Sequence, residues 1–326
     1  VTTAGAAGDG EMLRFAQHDN DNGLCRGGTA SRESRMTLPH TAYPILVTGA
    51  AGLLGHALAP RLLAAAPSPG AVLLTDVGAL DVTDPAAVRR TVREFAPRTV
   101  FHLAAWTDVD GAEAAPERAG LLNVSAAADV AREAARAGAL IVHMSTDFVF
   151  GGYRQEPYAE DDRPCPAGVY AVTKADAETA VRAAAPANHL IVRTAWLYGA
   201  GGRNFVDAIL AAARRGGPLR VVTDQEGCPT WSEDLADALV ALVAAGARGT
   251  YHACGRGEAS RFVQAVETVR AAGLDVAVES TTSAAHPRPA PRPARAILST
   301  AKLARLLGHD MPPWRDSLRR YVAERQ

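Results

Sequence analysis

Ile45-Leu46-Val47-Thr48-Gly49-Ala50-Ala51-Gly52-Leu53-Leu54-Gly55 decides how this chain folds. Its first four residues are aliphatic or β-branched, the pattern of a strand buried on both faces of a parallel sheet. Three glycines spaced G-x-x-G-x-x-G follow at once, and Leu53 and Leu54 open a helix that runs on through Ala57, Leu58, Leu62 and Leu63. Glycines between a strand and a helix let the backbone turn tightly and approach a pyrophosphate at the positive end of the helix. Gly49, Gly52, Leu53, Leu54 and Gly55 are therefore read as residues that hold a dinucleotide.

The neighbouring segments repeat the strand–helix alternation. Val72 to Thr75 reads as a second strand ending at Asp76, about 20 residues after the glycines, where a carboxylate accepts hydrogen bonds from an adenosine ribose. No arginine adjoins Asp76 to receive a 2′-phosphate, which favours NADH mildly over NADPH. Leu80-Asp81-Val82-Thr83-Asp84 is expected to end the next strand, with Asp81 and Val82 beside the cofactor and Asp84-Pro85 capping a helix. Thr99 to Ala105 forms a fourth strand. Ala104 and Ala105 at its tip are small enough for a dinucleotide to lie close, and Trp106 follows. His102 and His143 sit inside apolar runs and read as packed core histidines, and Asn123 lies within an alanine-rich helix. A fifth strand from Leu140 delivers Thr146. The rhythm predicts an α/β fold: a Rossmann-type doubly wound parallel sheet, with ligands at the carboxyl ends of the strands. A smaller C-terminal α/β lobe would cover the substrate.

Tyr170 and Lys174 stand one turn apart on a predicted helix, so both face the same way. A free phenol titrates near ~10, and a lysine cation within roughly 4–6 Å is expected to lower that value. This makes Tyr170 a usable general acid or base.

Composition bounds the rest. The 326 residues carry 34 basic and 35 acidic groups and are 48% hydrophobic, so a nucleotide-binding core with a smaller lobe can be buried. The near-neutral charge gives no electrostatic case for nucleic acid or an anionic membrane as partner. No run reaches the ~18 apolar residues of a membrane span. Cys25, Cys165, Cys228 and Cys254 show no C-x-x-C spacing, which predicts neither a zinc site nor a disulfide framework and a cytoplasmic location. Residues 1–43 are polar and aperiodic and are expected to be a disordered extension, with a native start at Met36. The dinucleotide-binding part is expected over 44–200 and the substrate lobe over 201–326, the two interleaved.

Gly49-x-x-Gly52-x-x-Gly55, Ala104-Ala105, Ser145-Thr146-Asp147 and Tyr170-x-x-x-Lys174 together resemble the extended short-chain dehydrogenase/reductases that act on nucleotide sugars. Further stretches resemble the dTDP-4-dehydrorhamnose reductase family within them: Arg193-Thr194-Ala195-Trp196-Leu197-Tyr198-Gly199, Asp224-Gln225-Glu226-Gly227-Cys228-Pro229-Thr230, Arg292-Pro293, and Leu298-Ser299-Thr300-x-Lys302-Leu303 with Pro312-Pro313-Trp314. The resemblance covers Ile45 to the C-terminus. It implies reduction of the 4-keto group of a nucleotide-linked deoxysugar by NADH or NADPH, most closely dTDP-4-dehydro-L-rhamnose to dTDP-L-rhamnose.

In that reading Tyr170 donates the proton and Lys174 holds the nicotinamide ribose. Thr146 hydrogen-bonds the carbonyl oxygen. Asp147, Trp196, Asn204, Gln225 and Arg292 line the substrate pocket, and Arg288, Arg292 or Arg295 reaches the diphosphate. Phe148 stands where the family has a tyrosine, Trp106 replaces another, and Arg203-Asn204 replaces an Asn-Asn pair; these bear on which sugar is bound. Some relatives carry an interface magnesium, but no motif here assigns its ligands, and monomer and homodimer both stay open. Two other readings share the scaffold: a nucleotide-sugar 4-epimerase, and a non-catalytic regulatory subunit resembling the methionine adenosyltransferase β-subunit. The D-Q-x-G-x-P-T stretch weighs against the first, and the presence of Thr146, Tyr170 and Lys174 together against the second.

Overall fold

Strands and helices alternate along the whole of residues 38–325, which this computed structural model describes. The disorder expected up to residue 37 and the start at Met36 fall outside the described residues. The first half runs β1 (Ile45–Thr48), α1 (Leu53–Ala64), β2 (Val72–Thr75), α2 (Pro85–Phe95) and β3 (Thr99–His102). Short helices α3 (Val109–Ala114) and α4 (Pro116–Gly120) lead through a π-helical turn, Leu121–Ser125, into α5 (Ala126–Arg136), β4 (Leu140–Thr146), α6 (Val169–Ala184) and β5 (His189–Thr194). Next come β6 (Leu197–Tyr198), α7 (Phe205–Arg215), β7 (Leu219–Val222), β8 (Glu226–Gly227), β9 (Thr230–Trp231), α8 (Ser232–Ala244) and β10 (Gly249–His252). The chain closes with β11 (Ala259–Ser260), α9 (Arg261–Ala271), β12 (Val278–Thr281), α10 (Ala301–Leu307) and α11 (Trp314–Ala323).

Six strands lie side by side in the order β10-β5-β4-β3-β1-β2, all parallel. From β1 the chain moves outward to β2, then returns to the other side of β1 as β3, so the order reverses between β1 and β3. That reversal opens a crevice at the carboxyl ends of the strands, the place where such a sheet holds a ligand. Alternation along β1 divides its side chains between two cores. Ile45 and Val47 pack with Leu58 and Leu62 of α1 and Leu235 and Leu239 of α8. Leu46 packs on the opposite face with Val88, Val130 and Val181 from α2, α5 and α6.

Two expectations are corrected. Leu38 to Tyr43 are not part of a loose extension: Leu38, Ala42 and Tyr43 are buried in the first core, and the Tyr43 hydroxyl donates to the Leu62 carbonyl at 3.1 Å. Leu80 to Asp84 form no strand. Asp81 instead accepts hydrogen bonds from the Thr83 N–H and hydroxyl, folding the segment into a turn that tucks Leu80 and Val82 into the second core. Competition from a short acceptor side chain is a standard reason for a strand-like pattern to turn. The cap at Asp84 forms as expected, accepting from Ala86 N and Ala87 N.

β10 and α8 lie beyond residue 200 yet join the large sheet and its cover. The smaller lobe pairs β7 with β12, β8 with β11 and β6 with β9, backed by α7, α9 and α11. Cys165, Cys228 and Cys254 are free thiols. Among the described residues no helix is long and apolar enough to cross a membrane.

Candidate active site

The glycine loop meets the tip of β3. A side-chain carbon on Gly49, whose φ is +69°, would fall 2.6 Å from the Ala104 nitrogen, and one on Gly55 would fall 2.3 Å from the Ala50 carbonyl oxygen. Those two glycines are required by the chain's own packing. Gly52 is not: its φ is −76°, and a side-chain carbon there would meet nothing nearer than the Gly49 oxygen at 3.4 Å. It is exposed at the N-terminus of α1, a cradle that the fold leaves open and that a pyrophosphate fits. Leu53 is half-buried beside it, while Leu54 turns into the core.

Asp76 follows β2, and one of its carboxylate oxygens accepts from the Ala51 N–H of the glycine loop at 3.0 Å. Ala104, Ala105 and Trp106 are half-buried at the crevice. Asp81 does not join them through its side chain, which is exposed and committed to Thr83; Val82 is buried below. These residues fit a dinucleotide across the crevice.

β4 and α6 bring the chemical groups together. Thr146 is the last residue of β4, buried, and donates its hydroxyl to Asp147 at 3.0 Å. Tyr170 lies in the first turn of α6 with its ring edge-on to Phe148, whose N–H donates to Thr146 Oγ1 at 3.2 Å, so phenol and hydroxyl share one corner of the site. Loss of water pushes that phenol up to about 12; the Thr146 hydrogen bond pulls against the rise and the Asp147 charge adds to it.

The expected lowering by Lys174 is therefore corrected. Lys174 is buried, its ammonium turned toward β4, where it donates to the Met144 carbonyl at 2.7 Å. Desolvation brings its pKa down to about 8, with Glu178 one turn further on opposing the fall. Glu178 is itself fully buried and held by Ser145, Arg182 and both arms of Arg193. His102 and His143 stack under this layer with ring centroids 5.6 Å apart, buried as expected.

Two further groups shape the site. Asn123 sits in the π-helical turn, a distortion common at functional sites. It accepts from Trp106 N–H at 2.8 Å and donates to Thr173 at 3.0 Å, tying the tip of β3 to α6. Phe148 packs edge-on against the Tyr170 ring, centroids 5.6 Å apart.

A pocket opens next to this cluster, lined by Asp147, Phe148, Trp196, Gln225, Glu226, Arg261 and Arg292. Asp147 is buried, which pushes its carboxyl up to about 7 against the pull of Thr146 and Arg261. Trp196 adopts a left-handed backbone with φ of +47°, unusual for a bulky side chain. Gln225 reaches Ser283 at 2.9 Å and Arg292 pairs with Asp110 at 3.0 Å.

The profile of the RmlD substrate-binding domain family covers residues 43–326. The chain belongs to the RmlD substrate-binding domain family. A dTDP-4-dehydrorhamnose reductase of Streptomyces griseus is 42% identical over 279 residues, 84% of this chain and 91% of the relative. A probable dTDP-4,6-dihydroxy-2-methyloxan-3-one 4-ketoreductase of Streptomyces antibioticus is 43% identical over 282 residues, 84% of this chain and 92% of the relative. The crystal structure of a Bacillus anthracis dTDP-4-dehydrorhamnose reductase in complex with NADP superposes with a TM-score of 0.82 at 33% identity, over 86% of this chain and 98% of that one.

The RmlD-type D-Q-x-G-x-P-T stretch now has a physical account. Asp224 accepts from the Ser283 N–H and hydroxyl, fixing the wall. A side-chain carbon on Gly227 would lie 2.3 Å from Trp196 Cε2, so only glycine leaves room for the indole. Thr230 donates to the Cys228 carbonyl and accepts from Gly255 N–H.

Asn204 is a correction. Its oxygen caps α7 by accepting from Asp207 N–H, and its amide donates to the Gly199 carbonyl, so it serves the lobe's frame. Arg295 likewise is bound to Glu226 and Glu258. Arg261 is a site residue that the motifs did not single out. Arg261 opens a helix after a capping serine, which reads as an ordinary solvated charge until Trp196 and Phe205 are folded against it.

Proposed function

We propose that this RmlD-family protein reduces the C4 carbonyl of a nucleotide-linked deoxysugar at the expense of NADH or NADPH. Its relatives' names point to dTDP-4-dehydro-L-rhamnose as the substrate and dTDP-L-rhamnose as the product. What supports this reading is Tyr170 packed on Phe148 beside Thr146 at the end of β4, next to the Trp196 pocket.

When bound, the nicotinamide supplies the hydride. Tyr170 supplies the proton to the oxygen that becomes the alkoxide. Burial keeps the phenol protonated at neutral pH, so the proton is present to be given to an alkoxide, the stronger base, although the raised value makes Tyr170 a weaker acid than a free phenol. Thr146 would turn its hydroxyl hydrogen from Asp147 to the same oxygen, adding a donor where the charge develops. Lys174 would hold the ribose hydroxyls, Gly52 with the N-terminus of α1 the pyrophosphate, and Asp76 the adenosine ribose. Asp147 accepts from a sugar hydroxyl and Trp196 gives a flat apolar wall.

Phe148 packs on Tyr170 where a dehydrating relative would need a second carboxylate, which argues against elimination of water. The carboxylate at Asp76 supports NADH, and the relative solved with NADP supports the phosphorylated cofactor. Free thiols support a cytoplasmic setting.

The test is loss of absorbance from each reduced cofactor with dTDP-4-dehydrorhamnose. Stoichiometric consumption is expected, whereas an epimerase recycles its cofactor and a regulatory subunit consumes none. Tyr170→Phe should cut the rate by about 10²–10⁴ while NADPH affinity holds. A variant at full rate overturns the proton assignment.

A further inference from the structure

Arg261 begins α9 with its guanidinium carbon 3.6 Å from the centroid of the Trp196 ring and 4.8 Å from that of Phe205. Among the described residues its side chain makes one hydrogen bond, to Gln264 Oε1 at 3.1 Å, and no carboxylate lies within ion-pair distance. Its neighbours differ: Arg292 has Asp110, and Arg295 has Glu226 and Glu258. The donors that Gln264 leaves unused are not buried away from the pocket, so they stand open to a ligand there. Arg292 repels it across the same pocket, and Asp147 attracts it. The pocket therefore presents two arginines, one with most of its N–H donors unused, next to Asp147 and Phe148.

We infer that Arg261 is a substrate-binding residue that takes the oxygens of the phosphoryl group joined to the sugar, acting with Arg292 as a two-armed clamp. The inference rests on the nucleotide-sugar reading above. A planar guanidinium matches two phosphoryl oxygens at once, and an anion between two arginines relieves their repulsion. Arg261 shares its pocket with Asp147, which is bonded to Thr146, so the phosphoryl in reach is the one next to the sugar. Stacking on Trp196 holds the cation in place and steadies the indole that walls the sugar. One side chain thus ties phosphate recognition to sugar placement.

Calorimetric titration of the full chain with dTDP and dTMP tests this, because dTMP lacks the sugar-proximal phosphoryl. Arg261→Gln should weaken dTDP about tenfold or more and change dTMP by less than about twofold. Arg261→Lys, which keeps a charge, should recover part of the loss, and NADPH affinity should not move in either variant. Equal weakening of dTDP and dTMP would make Arg261 a mere prop for Trp196 and overturn the inference, as would unchanged dTDP binding. If the wild type prefers UDP to dTDP, the base assignment fails while UDP against UMP makes the same comparison. A wild type that binds neither diphosphate removes this inference and the substrate reading together.

Discussion

Lys174 donates from Nζ to the Met144 carbonyl at 2.7 Å, so the lysine is anchored to the strand that ends two residues later in Thr146. Any movement of β4 is passed to both groups, and the ammonium has two donors left for a ribose. Lys174→Met keeps a chain of similar bulk without the charge. Hydrogen bonds to charged groups contribute about 1.5–3 kcal/mol, so NADPH affinity should fall about tenfold or more. Fluorescence titration measures it. Unaltered NADPH affinity would take Lys174 away from the ribose.

Much of this fold is legible in the sequence. Ile45 to Thr48 and Leu140 to Thr146 are buried on both faces, and that requirement writes itself as continuous apolar sequence. The glycines report steric demands that act within a few residues, so they too can be read locally. Leu80 to Asp84 misled because apolar residues alternating with Asp81 and Thr83 look like a strand, while the deciding hydrogen bond is between those two polar groups. The effect of Lys174 on Tyr170 misled for another reason. Spacing put both on one helix face but could not show that the lysine turns to Met144 or that burial outweighs charge. Arg261 was hidden because its ring partners, Trp196 and Phe205, come from distant segments. Asn204 looked like a ligand residue by its place in a motif, and only the fold reveals it as a cap.

Burial holds Asp147 at about 7, above the ordinary 3.8. Between those two values the folded protein keeps a proton that the unfolded chain has released. Stability therefore falls as pH rises through that window and stays lower above it. Asp147→Asn removes the titration while keeping an acceptor for Thr146. The gain in Tm of the asparagine variant over wild type should be larger at pH 8 than at pH 5, by about 2 °C or more. A Tm difference equal at both pH values would show that the carboxyl is not held neutral by burial.

Gly227 and Trp196 form a matched pair. An added carbon at Gly227 would stand 2.3 Å from Cε2 and 2.4 Å from Nε1 of the indole, and a rigid ring backed by Arg261 has little room to shift. Gly227→Ala should cost about 1–3 kcal/mol of stability by overpacking. It should also raise KM for the nucleotide sugar while KM for NADPH stays constant. Steady-state kinetics with each substrate varied in turn separates the two, and a rise in KM for NADPH alone would detach Trp196 from the sugar pocket.

Gly49 and Gly52 occupy one loop for unlike reasons, and alanine at each should part folding from binding. At Gly49 the backbone is left-handed, at a cost of roughly 1–2 kcal/mol for any other residue, and the new carbon would press on the Ala104 nitrogen at 2.6 Å. Gly49→Ala should therefore lower Tm by several degrees, whatever ligand is present. At Gly52 the backbone is ordinary and the space is open, so alanine costs nothing in packing. It even removes freedom from the unfolded chain, a gain of about 0.4–1 kcal/mol. Gly52→Ala should accordingly leave Tm level or slightly higher and still weaken NADPH binding about tenfold, because its methyl group stands where the pyrophosphate must approach. Thermal melts and NADPH titrations on the two variants give four numbers. If Gly52→Ala binds NADPH as the wild type does, the loop is a packing feature and the dinucleotide lies elsewhere.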